Sequence, residues 1–295
     1  MKTQELKAPK KVNVLSFLFN RPKHTEETIG ALLEQKEFID RIIFYLDKPT
    51  KPEDITAQAE VIEVLLYLID KHELRHYDII KREENYGIAK SITSATNEYC
   101  EKHSTPFVVL EDDCKPHPMF LSYMAYSFEE FKDDKSVYTV CGYQYHEDES
   151  EVANIELSNR FNPWGWGSWP DRWHFNWFNG DFSDEIKNTL PQSVRMFTED
   201  KRYLNGKMDI WSTTVIIKQY ANKFKTVVPT RSFVENTGND GTGVHSDATD
   251  AFDISSTEIK ILNLNNPDMK HINNERELVI EKSLSKILVK VMNKK

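Results

Sequence analysis

Cysteine is scarce in this 295-residue chain, and the three present, Cys100, Cys114 and Cys141, form neither an even set nor a C-x-x-C pair. A disulfide framework and a structural zinc site are therefore not expected, and a reducing cytoplasm is. Long apolar runs are also missing. Even Val61 to Ile69 is interrupted by Glu63, well short of the roughly 18 to 20 residues that span a bilayer. Met1 to Lys11 is polar and lysine-rich without an apolar centre, so no signal peptide is expected. Positive charge is in deficit: 38 Lys and Arg stand against 47 Asp and Glu, for a net charge of -9. Nucleic acid is excluded as a general partner, because binding its phosphates needs a basic footprint. Glycine is sparse, 10 residues in all, and none lies in Ser16 to Pro22.

What the chain does have is a core: 39% of its residues are hydrophobic and 12% aromatic, enough for one large domain. Val12 to Phe19 reads as a buried strand and Lys23 to Gln35 as a helix, with Thr28, Ile29, Leu32 and Leu33 at helical spacing. A strand over Arg41 to Leu46 ends at Asp47. A helix from Ile55 to Lys71, a strand from His76 to Lys81 and a turn at Asn85-Tyr86-Gly87 opening another helix follow. This alternation predicts a mostly parallel sheet with helices on both faces.

Phe107-Val-Val-Leu is a strand-type run that ends in three acids, Glu111, Asp112 and Asp113. In open α/β sheets the ligand crevice lies beyond the carboxyl ends of the strands. Adjacent carboxylates repel one another, and a hard divalent ion takes one or two of them together with substrate phosphate oxygens. Mg²⁺ or Mn²⁺ with a nucleotide diphosphate fits that pattern, and an acidic loop capping the next helix fits it as well. Further on, five of the six tryptophans lie at Trp164, Trp166, Trp169, Trp173 and Trp177, interleaved with Gly165 and Gly167. Aromatic faces suit sugars and also suit plain core packing, while the glycines allow backbone to approach a ligand.

Taken in order, these segments resemble the GT-A fold, nucleotide-sugar-dependent glycosyltransferases, closest to the N-acetylglucosaminyltransferase I-like group and bacterial sugar transferases. The resemblance covers about 12–250. It implies a Rossmann-like domain with a nucleotide-binding half over about 12–145 and an acceptor half over about 146–250, between a tail at 1–11 and an extension at 251–295. It assigns nucleotide-sugar contacts to Asn20 and Arg21, to Asp47, to Asn85, Gly87 and Lys90, and to Glu111 and Asp112. Asp113 is implied as the metal ligand. Trp164, Gly165 and Trp166 match a W-G-W segment beside donor sugar and acceptor, and Asp209 in Met208-Asp-Ile-Trp matches the catalytic carboxylate, with Asp171 the next acid to try. A glycine-containing loop from Asn236 carries His245 as a second candidate metal ligand, although Gly-Val-His stands here where Thr-His-Thr is frequent.

The implied reaction is inverting transfer of a hexosyl or N-acetylhexosaminyl unit from a UDP-sugar to a hydroxyl of a glycan, glycolipid or glycoprotein, as in polysaccharide biosynthesis. One base and no second nucleophilic carboxylate point to direct displacement. Asp209 also suits a helix N-cap. Glu277 to Lys295 reads as a basic amphipathic helix, suited either to the inner face of an anionic membrane or to docking on the body. A sugar-nucleotide-forming nucleotidyltransferase and a non-catalytic glycan- or nucleotide-binding protein are the alternatives. The former is expected to carry an early glycine- and basic-rich triphosphate loop, and Ser16 to Pro22 has no glycine.

Overall fold

A computed structural model describes residues 11–145, 152–176, 182–204, 210–238, 261–262 and 270–271. The first half follows the expected alternation: β1 (Val12–Leu18), α1 (Pro22–Leu33), β2 (Ile39–Leu46), α2 (Pro52–Lys71), β3 (Tyr77–Lys81), α3 (Gly87–Lys102) and β4 (Phe107–Glu111). Then come β5 (Cys114–Pro116), α4 (Phe120–Glu130), β6 (Val137–Cys141), β7 (Val152–Ala153), β8 (Ile155–Ser158) and β9 (Trp166–Ser168). Short helices α5 (Asp184–Thr189), α6 (Gln192–Arg195) and α7 (Lys201–Leu204) lead to α8 (Trp211–Asn222), β10 (Lys225–Pro229), β11 (Val234–Asn236), β12 (Ile261–Leu262) and β13 (Lys270–His271). The expected C-terminal amphipathic helix lies outside the described residues.

The principal sheet has the order β13-β8-β10-β6-β9-β4-β1-β2-β3 among the described residues. β1 to β4 run parallel, β9 runs antiparallel between β4 and β6, and β10 returns parallel to β6. This is the mostly parallel, Rossmann-like α/β architecture that the pattern predicts. Central strands are mostly apolar for a physical reason: β1 is buried at all seven positions, Asn13 and Ser16 included, because helices cover both faces. One face packs Ile29, Leu32 and Leu33 of α1 with Val61, Leu65 and Leu68 of α2 and with α4. The other packs Ile92, Ala95 and Tyr99 of α3 with Trp166, Trp173 and the apolar side of α8.

β9 and the small β5–β11 ribbon are among the elements whose local pattern did not announce them. β9 is three residues long, too short for a periodicity, and Gly167 within it is required by packing. A β-carbon there would meet the Phe107 carbonyl oxygen at 2.2 Å.

Candidate active site

Phe17 of β1 lies opposite Glu111 of β4, so both strands end at one edge and the Asn20-Arg21 turn comes beside Asp112 and Asp113. Pro22 at the first position of α1, with its fixed φ, starts the helix directly after Arg21. The Arg21 guanidinium turns onto the acids. Its Nε donates to Asp112 Oδ2 at 3.2 Å, its Nη2 to Asp112 Oδ1, and Nη2 also lies 2.9 Å from Asp113 Oδ2. Asp112 is only 4% exposed, and both its oxygens accept from Arg21, so it serves as a buried anchor for the guanidinium.

The electrostatics follow from three acids around one guanidinium. Burial, then Asp113 and Asp112, push the Glu111 carboxyl up to about 8 against the opposing pull of Arg21. Burial also raises Asp112, again against Arg21. Burial works against the charge on Arg21, but Asp112 and then Asp113 outweigh it and hold Arg21 above its ordinary value.

A second segment roofs the acids. β11 pairs antiparallel with β5, placing Asn236 opposite Cys114, and the Thr237 amide donates to the Asp113 carbonyl at 2.8 Å. The ring of His24 on α1 lies 3.3 Å from the Thr237 carbonyl, closing the far side. The beginning of the expected glycine-containing loop is thus at the acid site, while His245 lies outside the described residues.

The expected nucleotide contacts at the ends of β2 and β3 do different work. The Asp47 carboxylate accepts the amides of Tyr86 and Gly87, each with a 2.7 Å contact, and so caps α3. Asn85 donates to the Lys48 carbonyl at 2.7 Å, and Gly87 is needed for its φ of +67°. Asn20 donates to Asp54 at 2.7 Å, bracing its loop on α2. Lys90 is exposed, with its ammonium 3.8 Å from the Tyr86 ring centre.

The tryptophan segment divides. Trp166 is 0% exposed and its ring meets Phe161 at 5.1 Å and Trp173 at 4.5 Å, so no face is left for a sugar. Trp166 thus does the core packing that the aromatic segment suits equally. Gly165, at φ +61°, faces Val234, whose Cγ2 would be 2.5 Å from an added β-carbon; its freedom serves packing, not ligand approach. Trp164 stays partly exposed and packs edge-on to Tyr143 at 4.5 Å. Asp171 pairs with Lys135 and Arg172, whose guanidinium binds the carbonyl of Val137 at the start of β6, across the sheet from the acids. It is not part of this site. Asp209 lies outside the described residues; the N-cap position of α8 is Ile210.

Asp54, Gln58, His24 and Arg82 were missed in the sequence. Gln58 donates to the carbonyls of Phe19 (3.3 Å) and Asp47 (2.7 Å), joining the loops after β1 and β2. Asp54 and Gln58 carried a usable signal: they are polar at helical spacing on the buried face of α2. Arg82 stacks its guanidinium 4.9 Å from the rings of both Tyr45 and Tyr86, with Nε and Nη2 buried and without a hydrogen-bond partner among the described residues. Among the described residues no group of three His, Cys, Asp or Glu forms a ready metal cage. The cavity between Leu66, Leu74 and Tyr77, at the other end of α2, shares no residue with the acids.

No family model matches this chain, and no curated protein sequence does. Solved structures similar to it include the mannosyltransferase PcManGT from Pyrobaculum calidifontis in complex with GDP-Man and Mn²⁺. That likeness has 11% identity and a TM-score of 0.42, over 75% of this chain and 77% of the other. S. aureus TarS 1-349 is similar at 10% identity and a TM-score of 0.45, over 77% of this chain and 60% of that one, so this chain spans less than two thirds of it. A UDP-glucose pyrophosphorylase complexed with UDP-glucose is similar at 11% identity and a TM-score of 0.39, over 77% and 94%. At such scores the chemistry of this chain has to be read from its own residues.

Proposed function

We propose that this chain is an inverting, divalent-metal-dependent glycosyltransferase that moves a sugar from a nucleotide-sugar, with UDP as the favoured nucleotide, to a glycan, glycolipid or glycoprotein hydroxyl. The observation that carries the reading is the acid cluster closing β4. It lies at the carboxyl edge of the parallel sheet, holds one guanidinium, and is roofed by the segment after β11. Asp113 fits a divalent ion in one specific mode. Its carboxylate already accommodates a cation in Arg21 at 2.9 Å, and Mg²⁺ or Mn²⁺ needs only one or two carboxylates when phosphates and water complete the shell. When bound, such an ion offsets charge developing on the leaving diphosphate.

The chain's own residues do the rest. Arg82, with two buried nitrogens lacking acceptors among the described residues, and the Asp47-braced turn at Asn85 to Gly87 form the nucleotide side. Trp164, which is partly exposed, stands beside donor sugar or acceptor. Asp209 takes the acceptor proton, and His245 is a further candidate ligand for the ion. No helix among the described residues is long and apolar enough to cross a membrane. A cytoplasmic enzyme whose residues 277–295 meet a membrane would suit a lipid-linked acceptor.

The test is binding and turnover together. UDP and GDP affinities are measured in Mn²⁺ and in EDTA for the natural chain and for Asp113→Ala, and sugar-nucleotides are assayed for release of nucleoside diphosphate. Mn²⁺-dependent binding lost in Asp113→Ala, with diphosphate released by the natural chain, supports transfer. Pyrophosphate-dependent formation of nucleoside triphosphate instead identifies a nucleotidyltransferase, and binding without turnover identifies a non-catalytic protein. For the base, Asp209→Asn is expected to lower transfer by roughly 10²-fold to 10⁴-fold at nearly unchanged stability.

A further inference from the structure

Arg21 engages three carboxylate oxygens at once, both of Asp112 and Oδ2 of Asp113, and its charge is permanent. The two partners are held unequally. Asp112 takes two N–H groups and is 4% exposed, whereas Asp113 takes only a share of Nη2 and its side chain is 16% exposed. The contact to Asp113 is therefore the one that can be given up. On the same guanidinium, Nη1 is buried and has no hydrogen-bond partner among the described residues.

We propose that Arg21 is a resident cation that suppresses binding of a divalent ion alone and couples the ion to the nucleotide. An ion that takes Asp113 must displace Nη2 from it. One N–H of Nη2, whose other N–H stays on Asp112, then joins Nη1 as a donor without an acceptor, a costly state for a group largely out of water. A diphosphate beside the ion supplies oxygens for both donors, so the second ligand offsets what the first one costs. Such coupling is reciprocal: the nucleotide strengthens the ion as much as the ion strengthens the nucleotide. Only a planar fork anchored on Asp112 can release one donor and keep its place; a lysine, as a single point charge, cannot. The inference rests on the acids being the metal and diphosphate site.

Calorimetry with Mn²⁺ alone, UDP alone and both together, corrected for association of Mn²⁺ with UDP in solution, tests it on the full chain, Arg21→Met and Arg21→Lys. The natural chain is expected to bind Mn²⁺ about tenfold more tightly with UDP present, and Arg21→Met to bind Mn²⁺ alone about tenfold more tightly than the natural chain while losing that coupling. Arg21→Lys should retain the melting temperature better and still lose most of the coupling; if Arg21→Met does not fold, this variant decides. Unchanged coupling in the folded variant overturns the proposal alone, as does binding of Mn²⁺ to Arg21→Met no tighter than to the natural chain. A natural chain that binds neither UDP nor GDP with Mn²⁺ sinks the donor-site reading beneath it as well.

Discussion

Gly238 lies so close to Asp113 that a β-carbon added to it would stand 2.3 Å from Asp113 Oδ2. The residue that offers a carboxylate to the ion and the residue that roofs it thus share one van der Waals surface. Gly238→Ala is expected to turn the Asp113 carboxylate aside and weaken Mn²⁺-dependent UDP binding by about 10-fold to 100-fold, as outer partners of metal ligands do. Calorimetry in Mn²⁺ and EDTA checks this. An equal loss in both buffers would mean that the substitution damages the nucleotide side instead.

The two tryptophans of the W-G-W segment should separate cleanly. Trp166 is enclosed by Phe107, Phe161, Trp173 and Trp211, so Trp166→Ala leaves a large cavity and should cost about 3 to 5 kcal/mol of stability. Trp164→Ala should leave the melting temperature nearly unchanged and weaken sugar-nucleotide binding more than UDP binding. Denaturant unfolding and calorimetry on both variants decide; equal losses for the two ligands in Trp164→Ala would remove it from the sugar side.

Gln58 bridges two loops without reaching their front. Gln58→Leu leaves the carbonyls of Phe19 and Asp47 without this donor, which should cost about 1 to 3 kcal/mol. Because the loops after β1 and β2 lose their common tie, UDP affinity should fall with it, while Gln58→Glu, which offers no amide donor at neutral pH, should behave alike. Stability loss with unchanged UDP affinity would show that the loops are held by other means.

His117 supplies a pH-dependent term. Burial lowers the pKa of its ring from 6.5, and its Nδ1 accepts the Met119 amide at 3.2 Å, which a protonated ring cannot do. With the folded pKa below the unfolded one, the unfolded chain binds more protons in that window, so stability is present above about pH 6.5 and is lost as pH falls through it. His117→Asn should flatten the fall in melting temperature between about pH 7 and pH 5. An unchanged slope would assign the acid sensitivity to other groups.

By itself the sequence determined the strand and helix alternation of the first half and the acid-tipped strand, because both are local. Periods of two and 3.6 residues, the Pro22 start of α1 and the turn at Gly87 depend on neighbours a few positions away. The polar insertions at Asp54 and Gln58 on the buried face of α2 were equally local, but they went unread. What only the tertiary structure decided was which partner each polar or aromatic group found. Arg21 meets Asp112 across 91 residues, and β9 enters between β4 and β6 through three residues with no pattern of their own. The same holds for Asp47, whose carboxylate caps a helix 39 and 40 residues on, and for Trp166, which is core where Trp164 is partly exposed. A residue type states what a side chain is able to bind. Only the fold, by bringing distant strands to one edge and excluding water there, selects which of its candidate partners it has.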